Sequence, residues 1–265
     1  MVSGAVWFSA DNFVLNLVQA ACVALPAAGV PWWLARFRGR GWSLVLPLSI
    51  AVVVGAIAAV PWSADVLTWV ALLLVPPGAA LALGWAMHGA RPWLALLAAP
   101  LLAVAWTQQD TRAGQIASAA LIALSAVTVG RLLAGAAPLA LVKAGLLAMA
   151  AVDAYLVFTN RLQAPNAVLV AASPGPGLPQ LQSLSFGQAG LGYGDVFAAA
   201  VLGGILAAED GPRLAALALI PVSLAWDQLF LVYDVLPATV PPAIVLLGVE
   251  AWRHVRGRPV RRHRT

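Results

Sequence analysis

Four aspartates stand inside long apolar stretches of this chain: Asp153, Asp195, Asp227 and Asp234. An ionisable side chain in such surroundings is costly and marks a functional position. No Lys, Arg or His lies at a depth that would neutralise them, so structural ion pairs are not expected for these four. Two carboxyls brought into contact cannot both ionise, and they share a proton. Such a pair can hold a water between a basic and an acidic group, so that the water attacks a peptide carbonyl. Asp153 and Asp195 are the candidates for that chemistry. Asp227 and Asp234 read as structural groups on one face of a single helix, with Asp234 close to its outer end.

The elements that must position these groups follow from composition. Of the 265 residues, 62% are hydrophobic and 9% charged, whereas a soluble domain carries roughly 25% charged residues. A fold this apolar needs lipid as its solvent. The expected class is therefore all-α, a polytopic membrane protein. Apolar runs of spanning length are read at 13–35, 42–62, 66–88, 92–108, 115–134, 138–159, 190–209, 213–235 and 238–255, giving nine transmembrane helices. Trp32, Trp42, Trp62, Trp93, Trp106 and Trp252 fall near the ends of these runs, as an interfacial belt requires. The organisation expected is 1–137 as five N-terminal helices, 138–255 as four helices carrying the site, and 256–265 as a basic, disordered tail. The one long connection, 160–189, contains three Pro and two Gly within 174–179, which forbids a continuous helix there. No basic residue precedes the first apolar run, so that run reads as a retained helix rather than a cleaved signal peptide.

The net charge of +5 does not point to nucleic acid, because the basic residues sit in short clusters between apolar runs. With nine crossings, one face collects Arg36, Arg38, Arg40, Arg91, Arg131, Lys143, Arg213 and the six Arg of 253–264, while the other holds Arg112 and Arg161. The positive-inside rule places the C-terminus in the cytoplasm and the N-terminus outside. Cys22 is alone and the three His are scattered, so no metal site and no cofactor are expected.

Position along the helices now brings the two candidates together. Asp153 lies near the outer end of the sixth run and Asp195 just inside the seventh, entered from the same face. Antiparallel neighbours place these carboxyls at matching depth. Gly190, Gly192 and Gly194 allow a close helix approach and also an extended chain just before Asp195.

These residues resemble the signal peptide peptidase and presenilin family of intramembrane aspartyl proteases. The resemblance lies in Asp153 within V-D-A-Y-L-V-F-T-N, Asp195 within G-L-G-Y-G-D-V, and L-P-A-T-V-P-P-A from Leu236. It implies a presenilin-like arrangement of nine helices, with the catalytic Asp153 and Asp195 on the sixth and seventh. It also implies that Gly192, Tyr193 and Gly194 of the Gly-x-Gly-Asp motif, together with Pro237, Ala238 and Thr239 opening the ninth helix, shape the active site. Val152 replaces the family's Tyr before the first Asp, Tyr193 replaces its usual Leu, and Thr239 stands where the third motif has Leu. The partners implied are transmembrane peptide substrates in the lipid bilayer of a prokaryotic plasma membrane. Two other readings compete. A prepilin peptidase also carries Gly-x-Gly-Asp, but a basic residue follows its motif, where this chain has V-F-A-A-A, and its aspartates face the cytoplasm. A proton- or ion-coupled transporter would show broken helices in two repeated halves, and none are visible.

Overall fold

The computed structural model describes residues 10–256, apart from 28, 30, 31, 61, 210, 212 and 213. The helices are α1 (Ala10–Ala24), α2 (Val45–Ala59), α3 (Ser63–Leu81), α4 (Ala98–Thr107), α5 (Arg112–Ala136), α6 (Leu139–Phe158), α7 (Gln163–Ala171), α8 (Tyr193–Ala208), α9 (Leu214–Asp227) and α10 (Val240–Val255). Short 3-10 segments lead into α2 and α4 and follow α9, and a π-helical turn at Ala82–Ala86 extends α3. Five helical stretches are long and apolar enough to cross a membrane: Arg40–Ala59, Ser63–Ala86, Arg112–Ala136, Leu139–Phe158 and Leu214–Leu231. Ala10–Ala24, Pro92–Thr107 and Tyr193–Ala208 are apolar but shorter.

Several sequence-based expectations change. The first helix stops at Ala24 rather than running to 35, because Pro26 two residues later cannot continue the ladder. The chain then pairs with the segment after α3, through Ala27 N–H to Ala86 O and His88 N–H to Leu25 O, both 2.9 Å. The 160–189 connection is not structureless, since it contains α7 and the strand β1 (Ser183–Phe186). β1 pairs antiparallel with β2 (Ala189–Gly192), so the fold is helical with one hairpin rather than purely α. The seventh long helix starts at Tyr193, three residues later than expected. The helix carrying Asp227 ends there and gives way to a 3-10 turn at Gln228–Leu231. Asp234 therefore lies beyond it, exposed, and does not share a helix face with Asp227. Pro237 ahead lacks an N–H and disfavours helix at the residue before it. Arg131, counted among the connections, sits inside α5 and is 2% exposed; its Nε and Nη2 donate to Ala27 O and Gly29 O, each at 2.6 Å. The expected tail lies outside the described residues beyond Arg256.

The core forms around α5 and α8, the most extensively packed pair, with α3 and α4 on α5 and with α1 on α8. Every residue of α8 from Val196 to Leu206 is buried. Glycine makes this possible. A methyl at Gly204 would stand 2.6 Å from Gly130 O, and one at Gly130 would stand 2.6 Å from the Ala200 carbonyl oxygen. Backbone obstacles cannot rotate away, so Gly204→Ala should lower stability by about 1–3 kcal/mol. Thermal unfolding in detergent would register this as a lower midpoint. Gly248→Ala, where the added methyl meets open space, should leave the midpoint level or raise it, as alanine favours helix over glycine. Equal effects at the two positions would contradict this packing.

At the opposite end from Asp195, three helices are tied by charge. Glu209, the C-cap of α8, pairs with Lys143 of α6 at 2.6 Å and with Arg253 of α10. Glu250 of α10 pairs with the same two cations at 2.9 and 3.0 Å.

Candidate active site

Asp153 lies five residues before the end of α6 and is 5% exposed. Asp195 is the third residue of α8. The chain reaches it through the hairpin, whose two-residue turn has Gly187 at φ +58°, the first turn position that a type II′ geometry reserves for glycine. Leu184 and Phe186 bury one face of β1, while Ser185 on the other face is exposed. The turn is held from both sides: Gln188 N–H donates to Asp11 of α1 and Gly187 N–H to Gln115 of α5, both at 3.2 Å. The extended chain ends at Gly192, whose N–H donates to Asp195 Oδ2 at 3.0 Å. This is the half of a capping box in which the third helical residue reaches back to the N-cap N–H.

The helices that carry the two carboxyls, α6 and α8, are in contact. Gly194 lies against the Met149 side chain of α6, and Met149 is one helical turn before Asp153 on the same face. Gly190, Gly192 and Gly194 are not sites of tight helix approach: methyl groups there would meet neighbours only at 3.4 Å or beyond. Gly190 and Gly192 lie in the extended entry and Gly194 in the first turn of α8; tight approach belongs to glycines such as Gly130, Gly145, Gly203 and Gly204, where an added methyl would come within 2.8 Å of backbone. Tyr193 sends its hydroxyl to Ser125 Oγ of α5 at 3.1 Å, which fixes the first residue of α8.

The segment before α10 closes the site. Thr239 Oγ1 donates to Asp153 Oδ2 at 2.6 Å. Pro237 and Thr239 are buried. A leucine at 239 could make no hydroxyl bond. Gln19 of α1, 2% exposed, donates through Nε2 to Asp195 O at 3.4 Å and to Ala238 O at 3.3 Å. One turn earlier on α1, Asn16 donates to Asp227 Oδ2 at 2.8 Å. Asp227 thus has a neutral amide partner.

Asn16 and Gln19 were missed by a reading that searched the apolar runs for ionisable groups. The available signal was a pair of amides three apart in an apolar helix, which in lipid must find partners on neighbouring helices. The alternation S-L-S-F followed by Gly-Gln likewise announced the hairpin. Among the described residues, no cluster of three or more metal-ligating side chains occurs. Comparison with protein-family models, curated proteins and solved structures gives no match.

Proposed function

We propose that this chain is an intramembrane aspartyl protease, a prokaryotic counterpart of the signal peptide peptidase and presenilin kind, with Asp153 and Asp195 as its catalytic dyad. The observation that carries the reading is the meeting of three segments remote in sequence: Asp153, Asp195 and the 237–239 turn, joined through Thr239 and Gln19. In this reading the chain crosses the bilayer nine times, the three shorter apolar helices and α10 crossing along with the five longer stretches. The pair shares one proton; the ionised partner takes a proton from a bound water, whose oxygen adds to the scissile carbonyl. The protonated partner donates to the carbonyl oxygen, and the proton then passes to the leaving nitrogen as the C–N bond breaks.

A helical substrate hides its peptide bonds and must unwind before water can attack. The hairpin offers an extended template that ends three residues before Asp195, and strand addition along it would carry an unwound segment toward the dyad. Thr239 orients Asp153, while Gly192, Tyr193, Gly194, Pro237 and Ala238 shape the surroundings.

Orientation selects the substrate class. Thirteen basic residues against two, or twelve without the buried Arg131, favour a cytoplasmic C-terminus and an external N-terminus, the orientation of signal peptide peptidases within the resembled family and the reverse of presenilins. The substrates are then spans with a cytoplasmic N-terminus, such as type II anchors or remnant signal peptides, cut in the outer half of the membrane. A reporter active only in the cytoplasm should give full signal when fused after residue 265 and none when fused before residue 1. The reverse pattern would overturn both the topology and the substrate class. Mass spectrometry of type II membrane peptides incubated with the purified protein in lipid should find cuts within the span; intact peptides across a panel of such sequences would count against the protease.

A further inference from the structure

The helix that opens at Val240 has proline at both 241 and 242. Thr239 already has helical dihedrals, φ −79° and ψ −17°. The Ala238 carbonyl therefore points along the helix axis toward the nitrogen of residue 242, the usual i+4 donor. Proline has no N–H to offer. Ala238 is part-buried, and a carbonyl shielded from water and left without a donor is costly. The donor present is on a different helix: Gln19 Nε2 of α1, at 3.3 Å. The amide's second hydrogen goes to Asp195 O at 3.4 Å. A carboxamide has two N–H groups, and here each is spent on a different wall of the candidate site.

We infer that Gln19 is a positioning residue, replacing the hydrogen bond that Pro242 removes and thereby fixing the Thr239 turn relative to Asp195. Its catalytic consequence rests on the protease reading; its bridging role does not. The residue next to the bridged carbonyl is Thr239, whose hydroxyl holds Asp153. Gln19 thus couples the first transmembrane segment to both carboxyls without touching either. A displacement of about 1 Å at a reacting group can cost about 100-fold in rate, so loss of this bridge should lower kcat more than it raises KM.

The test is a double-mutant cycle with Pro242→Ala, which restores a backbone N–H able to donate to Ala238 O. In the full-length protein in lipid, Gln19→Leu should reduce kcat by about 10- to 100-fold with KM changed less than about 3-fold. In the Pro242→Ala background the same change should cost less than about 3-fold, because the carbonyl already has a donor. The unfolding midpoint gives a readout that does not need activity, and it should show the same relief. If Gln19→Leu does not accumulate, Gln19→Met keeps the length, removes both donor hydrogens and enters the same cycle. Equal losses in both backgrounds, in rate and midpoint alike, would overturn the proposal. Relief in the midpoint with an unchanged kcat would overturn the positioning role. Relief in the midpoint in a wild-type protein that cuts no peptide would uphold the bridge while removing the protease reading.

Discussion

Under the proposed protease function, Asp153→Asn and Asp195→Asn should each abolish intramembrane cleavage while leaving the folded protein in place. The amide keeps the volume of the carboxyl and can neither hold nor release the shared proton, so general acid–base exchange with a water stops. A loss of at least about 10⁴-fold is expected, as each carboxyl is required in both halves of the proton transfer. The unfolding midpoint should move far less than the rate. At Asp195 the asparagine oxygen can still accept from Gly192 N–H, and at 153 it can still accept from Thr239 Oγ1. Asp227→Asn serves as the internal comparison. Asp227 is also a half-buried acid of an apolar helix, but it meets Asn16 rather than the dyad. Its replacement should change kcat by less than about 3-fold. Near-normal cleavage by either dyad variant, measured by mass spectrometry on the same peptide, would refute the assignment. Loss in all three variants alike would instead point to a proton pathway through Asp227.

The second large effect is expected on stability. Glu209 has a side chain 4% exposed and serves both Lys143 and Arg253, whose side chains are 15% and 13% exposed. Glu209→Gln leaves two buried cations with a single carboxylate, Glu250, which is 39% exposed. Removing one member of a buried ion pair costs about 3–5 kcal/mol, because the charge left behind remains desolvated. The result should be a large fall in unfolding midpoint and reduced accumulation in the membrane. Glu250→Gln should cost much less, as a more exposed partner is already hydrated. The three helices joined by this cluster are those that carry Asp153, Asp195 and, just before its start, Thr239. The same variant should therefore loosen the dyad before it unfolds the protein. A midpoint unchanged by Glu209→Gln would mean that the cations find water at the membrane surface.

The apolar helices, the proline-rich break at 174–179 and the aspartates within apolar runs were legible in the chain because each is a local signal. Twenty apolar residues, a run of prolines or a lone carboxyl in an apolar segment can be recognised without knowing what lies opposite. The limits of the helices were less legible. α1 gave way at Pro26, and the segment after Asp227 gave way ahead of Pro237, although hydrophobicity runs on through both. Apolar character says where lipid or core can be met, whereas backbone hydrogen bonding decides where helix stops.

Sequence alone determined which residue types were available for acid–base chemistry and that they sit near matching ends of neighbouring helices. The partners were decided only by tertiary structure. Nothing local says that Thr239 hydrogen-bonds to a carboxyl 86 positions away, or that Gln19 bridges Asp195 and Ala238 from the other end of the chain. Nor does it say which glycines permit close contact. The motif glycines 190, 192 and 194 have ordinary space around them, while Gly130 and Gly204 hold α5 against α8. Hydrogen-bond and packing complementarity are properties of pairs of surfaces, and those pairs exist only once the helices have assembled.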